Sequence, residues 1–136
     1  MLSRRLLRVK VAKTLYAHLK SGSDNLKATE KNLVDSIDKA YDLYFLMMSF
    51  ITEVANYAEN RIELNKQKKL PTYEDLNPNR RFVDNAVIHL IANSDSVNDV
   101  LASRKLSWSQ QQDAVKDVYN RLLEAEFYMK YMSASI

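Results

Sequence analysis

"TEKNLVDSIDKAYDLYFLMMSFITEVANYAENRIELNKQKK", residues 29–69, contains neither glycine nor proline. Ile37, Tyr41, Tyr44, Met48, Ile51, Ala55, Ala58 and Ile62 recur at alternating spacings of four and three, which is a heptad seam. Leu33, Ala40, Met47 and Val54 form a second apolar stripe, and Leu43, Phe50, Tyr57 and Leu64 a third. A helix apolar on that many sides is wrapped by neighbours rather than resting on a surface. A two-stranded coiled coil has one narrow seam. The stretch therefore predicts the central helix of a bundle, from about Thr29 to Lys69, with Met48 and Ile51 at the centre of the core. Its Met and Tyr side chains read as core fillers.

The rest of the chain agrees with an all-α fold. Glycine occurs once, at Gly22, and proline twice, at Pro71 and Pro78. Hairpins and tight sheet turns lean on such residues, and no alternating strand pattern is present. Upstream, a first helix is expected from about Ser3, a capping residue, to Lys20, with Gly22 ending it. Leu7, Val11, Leu15, His18 and Leu19 share one face, and Arg4 and Arg8 fall on the same stripe. Burying an arginine is costly, so the first turns are expected to overhang the core while Leu15 and Leu19 are buried.

Downstream, "NKQKKLPTYEDLNPNRRF", residues 65–82, breaks the pattern. Lys66, Lys68 and Lys69 suit a helix C-terminus, where the dipole favours cations. A further helix is expected from about Asn79 to Ala92, with Phe82, Val83, Ala86 and Leu90 inward. A short one follows around Ser96 to Arg104, offering Val97, Val100 and Leu101. "SWSQQQD", residues 107–113, opens the last helix, with Ser109 and Gln112 matching a capping box. Trp108, Val115, Val118, Leu122, Ala125, Met129 and Met132 carry its apolar face. That pattern runs to within a few residues of Ile136 with no stop signal. Residues 1–136 thus read as a single helical domain forming the N-terminal part of a longer chain.

With 136 residues the chain is long enough for one domain with a core. It has no cysteine, which excludes disulfides, thiolate catalysis and zinc-finger sites and fits a reducing cytoplasm. No apolar run approaches the roughly 18 residues of a membrane span. Lys10 and Lys13 interrupt the apolar run a signal peptide would need, so a soluble, cytoplasmic protein is expected. The net charge is +3, but it is unevenly placed. "SRRLLRVKVAKTLYAHLKSG", residues 3–22, carries Arg4, Arg5, Arg8, Lys10, Lys13 and Lys20 and no acid. Such a basic end on a mildly acidic body reads either as a polyanion-binding patch or as a solvated helix face.

Catalytic patterns are missing. His18 and His89 are the two histidines, and neither has a carboxylate at ligand-like spacing; a structural or surface role is expected for both. Glu74 and Asp75 are adjacent carboxylates of the kind that are solvated or cap a helix. No glycine-rich phosphate loop is present. No enzyme activity, cofactor or metal is expected. Arg80 and Arg81, at an expected helix start, oppose the dipole. Either Glu74 or Asp75 compensates them across the loop, or they add to a binding surface.

The opening helix resembles that of the NusB family of transcription antitermination factors, where an arginine cluster precedes a Leu-Tyr pair. Arg4, Arg5 and Arg8 match the cluster, and Leu15-Tyr16 the pair; Leu6 stands where a further arginine is common. "YAENRIELNKQKKLPTYEDLNPNRRFVDN", residues 57–85, and "LSWS", residues 106–109, resemble the N-terminal region of the longer Bacteroidetes-type members. The resemblance implies a non-enzymatic factor that pairs with ribosomal protein S10, binds boxA-type single-stranded RNA and joins the RNA polymerase antitermination complex on ribosomal RNA operons. By it Arg4, Arg5 and Arg8 would contact RNA, with Lys10, Lys13 and Tyr16 nearby. Two other functions fit a helical chain with a basic end. One is a protein-interaction module docking an acidic partner. The other is the N-terminal domain of an rRNA methyltransferase.

Overall fold

A computed structural model describes residues 2–134. Ile136, a few residues beyond the last member of the apolar pattern, lies outside them. Among the described residues the fold is all-α, with helices α1 (Arg4–Ser21), α2 (Leu26–Lys66), α3 (Tyr73–Leu76), α4 (Ala86–Ala92), α5 (Asp95–Ser103), α6 (Gln112–Glu124) and α7 (Glu126–Ser133). The chain divides into two compact units, Met1–Tyr44 and Phe45–Ile136.

The first unit pairs α1 with the N-terminal part of α2. The Ser3 hydroxyl accepts from the Leu6 N–H at 3.2 Å, and Gly22 takes the left-handed conformation (φ 63°) that ends α1. The Asn25 side chain then accepts from the Ala28 N–H at 3.1 Å, so α2 begins three residues before the expected Thr29. Lys10 meets Ser36 and His18 meets Thr29, so contacts recede along α2 as they advance along α1, and the two helices run antiparallel. No described residue of this unit is buried. Leu15 and Leu19, expected inside, are 51% and 78% exposed. The inward line of α1 is instead Leu7, Lys10, Thr14 and His18, rotated away from the most apolar stripe because the side chains it meets are hydroxyls.

The second unit is built on residues 45–66 of α2. Val54, Ala55 and Ala58 are buried there together with Val83, Ile88, Val97, Val115 and Tyr128. Val115 is fully enclosed, at 0% exposure. Edge-on aromatic pairs frame this core: Phe50 with Trp108 (ring centres 4.6 Å apart), Tyr57 with Tyr119 (5.2 Å) and Phe82 with Tyr128 (5.5 Å). The Trp108 indole N–H donates to the Leu46 carbonyl at 2.8 Å.

Several expectations are corrected by the fold. Ile51 is 40% exposed and Met48 half-buried: of their seam only Ala55 and Ala58, further along the helix, are buried, joined by Val54 of the second stripe, and Ile51 is left on the wall of an apolar groove. The helix expected from Asn79 starts at Ala86. Residues 81–84 form a turn, and the Asn85 side chain caps α4 by accepting from the N–H groups of Val87 and Ile88. That resets the phase: Ile88 is buried, while Ala86 and Leu90 are exposed. The last expected helix is two. Ala125 is extended (φ −75°, ψ 128°), and past this break Tyr128 is buried while Met129 is 52% exposed. The Ser109–Gln112 capping box does not form, since Gln112 donates to the Trp108 carbonyl instead. A capping box does form between Thr72 and Asp75, opening α3.

Val115→Ala should cost about 2.5 kcal/mol of unfolding free energy, more than Ile51→Ala at about 1 kcal/mol, although the isoleucine sheds more carbon; urea titration of both variants checks the ranking. Burial, assisted by Tyr119 and Tyr131, pushes the Tyr128 phenol up to about 12. The unfolded phenol ionises near 10. Stability is therefore intact below pH 10 and falls as pH rises towards 12, because the unfolded chain loses the proton first. Tyr128→Phe should flatten that alkaline loss in unfolding curves taken across the interval.

Candidate nucleic-acid interface

The absence of acids on α1 leaves its cations to find partners elsewhere or none. Arg4, Arg5, Arg8 and Lys13 are exposed and make no hydrogen bond or ion pair among the described residues. At about 100° per residue, Arg5, Arg8, Ala12 and Tyr16 lie on the side of α1 turned away from the Lys10–Thr14–His18 line. Tyr16 is 65% exposed, and the Lys20 ammonium stands 5.9 Å from its ring centre. This outward face thus combines guanidinium groups with one aromatic ring, the residue types that meet phosphate and an unstacked base.

Lys10 departs from the set in which the sequence places it. Its ammonium donates to the Ser36 carbonyl at 2.8 Å and reaches the Ser36 hydroxyl at 3.3 Å, so it fastens α1 to α2 rather than facing outward. The Thr29 hydroxyl lies 2.8 Å from His18 Nδ1, giving that histidine the structural role expected of it. His89 is exposed on α4. Among the described residues no group of three His, Asp or Glu side chains is placed to hold a metal ion.

Arg80 and Arg81 are engaged inside the second unit, though not by the expected carboxylates. Arg80 bridges Glu59 at 3.0 Å and Asp84 at 3.1 Å. Asp75 instead holds Lys68 at 3.1 Å and closes the α3 cap. The Thr72 N–H, followed by the Lys68 ammonium, holds the Asp75 carboxyl below its ordinary range. Arg81 stacks 5.0 Å from the Tyr131 ring centre and donates to the Ala134 carbonyl. The Tyr131 hydroxyl donates back to the Arg81 carbonyl at 3.1 Å and accepts from Asn85 at 2.8 Å. Arg80 thus ties the turn before α4 to α2, and Arg81 ties it to α7.

Sequence reasoning missed a groove of about 560 Å³ between α1 and α2 within the first unit. Lys10, Lys13 and His18 stand on one wall, Thr29, Asn32 and Ser36 on the other, and its lining contains no carboxylate. The spacing of Lys10, Thr14 and His18 carries the signal, a polar stripe at helical period, but it is outweighed by the apolar residues beside it. No helix is long and apolar enough to cross a membrane among the described residues. Comparison with protein-family models, curated proteins and solved structures returns no match to this chain.

Lys10→Ala should weaken the α1–α2 pairing by about 1 kcal/mol, since it removes a charged donor from two oxygens. Amide exchange along α1 should quicken about fivefold. Arg4→Ala, Arg5→Ala and Arg8→Ala, made singly, should each change that exchange by less than about twofold, as exposed substitutions do.

Proposed function

We propose that the chain is a non-enzymatic RNA-binding protein whose basic N-terminal helix contacts single-stranded RNA. One observation carries the reading: three arginines and one lysine of α1 are unpaired while many cations of the second unit are spent internally. Arg4, Arg5, Arg8 and Lys13 have no partner among the described residues, whereas Lys66, Lys68, Arg80, Arg121 and Lys130 each hold a carboxylate. Unpaired guanidinium groups gain by meeting phosphate and releasing its condensed counterions. Exposed Tyr16 adds a ring on which a base can stack. With the NusB-like features of the sequence, the reading extends to an antitermination factor acting with ribosomal protein S10 on boxA-type RNA in the cytoplasm.

A second reading, docking of an acidic protein, draws on exposed Leu15 and Leu19 beside the basic face. Competition between RNA and a candidate acidic protein for the same variants separates the two.

Replacing Arg4, Arg5 and Arg8 together by Ala should weaken binding to a boxA-like single strand at least tenfold. The slope of log affinity against log salt should flatten by up to about 0.7 for each phosphate that the variant no longer neutralises. Lys116→Ala, on α6, should change neither. Fluorescence anisotropy across a salt series, with S10 present, reads both quantities; an unchanged slope in the triple variant would move the docking reading ahead.

A further inference from the structure

We infer that the groove between α1 and α2 is a second contact for the RNA strand, seating one ribonucleotide by its phosphate and 2′-hydroxyl; the inference rests on the RNA-binding reading above. The outward face of α1 is a flat array of cations, which attracts any polyanion and reads nothing of its sugar. The groove beside it has different chemistry. About 560 Å³ is room enough for a small polar ligand to lie in an open groove. Ala17 and Ala28 line it from opposite helices, and the space persists because neither side chain extends past Cβ.

The unspent polar groups are mostly donors. The Lys10 ammonium has three N–H groups and gives two contacts, both to Ser36. Lys13 and the Asn32 amide make no hydrogen bond among the described residues, although both line the groove. His18 engages Thr29 through Nδ1 and leaves Nε2 available. With no carboxylate in the lining, the pair of ammonium groups favours an anionic oxygen. Asn32 offers both an N–H donor and a carbonyl acceptor, the pair that a ribose 2′-hydroxyl satisfies and a deoxyribose cannot. At the groove's other margin Leu6 and Val9 are 40% and 41% exposed, an apolar edge on which the flat face of an unstacked base can rest. Phosphate, sugar and base chemistry thus lie side by side along one short groove.

The consequence is a sugar preference that the arginine face alone does not supply. The test measures the affinity of the full chain for a short single-stranded ribo-oligonucleotide and for its deoxyribo counterpart of the same sequence, by fluorescence anisotropy. The parent should bind the ribo strand about tenfold more tightly, equivalent to about 1.4 kcal/mol. Asn32→Ala should lose most of that preference while barely changing the deoxyribo affinity. Ala28→Leu, which fills the groove without touching a charge, should do the same. Asn32 and Ala28 are exposed and on a helix, so both variants should keep the parent's circular dichroism. Arg5→Ala with Arg8→Ala should weaken both strands alike. If the arginine variant weakens both strands but Asn32→Ala and Ala28→Leu keep the ribo preference, the groove inference is overturned and the RNA reading stands. If the arginine variant binds RNA as tightly as the parent, the RNA reading fails and the groove inference with it. A parent without sugar preference overturns the inference directly. Equal weakening of polyglutamate and RNA by Asn32→Ala would overturn it too, in favour of an acidic polypeptide.

Discussion

Burial in α2 is confined to Val54, Ala55 and Ala58, and the second unit depends on that short stripe. The same core encloses Val115 at 0% exposure, and beside it Tyr57 and Tyr119 meet edge to edge. An isolated helix has little stability in water and draws most of it from packing an apolar face. Residues 45–66 obtain that packing. Residues 26–44 obtain none that buries a side chain, and polar contacts to α1 stand in its place.

That difference bears on function. Where a core exists, surface charge is organised around it: Arg80 joins α2 to the turn before α4, and Arg81 joins that turn to α7. Where it does not, hydroxyls, one histidine and one lysine supply the side-chain hydrogen bonds between the two helices. The remaining cations of α1 have no acid within their own helix to neutralise them. The same local composition that weakens the first unit as a packed structure leaves its charge available to a ligand.

The sequence made some of this legible and hid the rest for physical reasons. Ser3 and Gly22 bound α1 because a hydroxyl and an αL-tolerant residue act locally. The long α2 was legible because nothing interrupts it. Its buried face was less so: three apolar stripes give no reason to prefer the one that neighbours cover. Ala125 hid the break between α6 and α7, since alanine is the strongest helix former and only tertiary packing makes it extended. Asn79 and Asn85 look alike as caps, and both reach α7, Asn79 the Met132 carbonyl and Asn85 the Tyr131 hydroxyl, so their own residue types gave no reason to prefer Asn85. On α1 the arginine cluster was legible as charge. The inward turning of Lys10 was not, because it depends on Ser36 lying opposite. Asn32 carried no signal at all until α1 was placed beside it.

Trp108 gives the chain an optical asymmetry. It is the single tryptophan, its indole N–H is bonded to the Leu46 carbonyl, and its ring lies edge-on to Phe50. Indole emission shifts to longer wavelength when that hydrogen bond and ring contact are exchanged for water. Tryptophan emission, excited selectively over tyrosine, therefore follows melting of the second unit, and the first carries no tryptophan. Fraying of α1 from α2 would pass without any change in emission colour, while the amide circular dichroism of the same sample would register it. Two probes that disagree on this protein report its two-part construction rather than a flaw in the measurement.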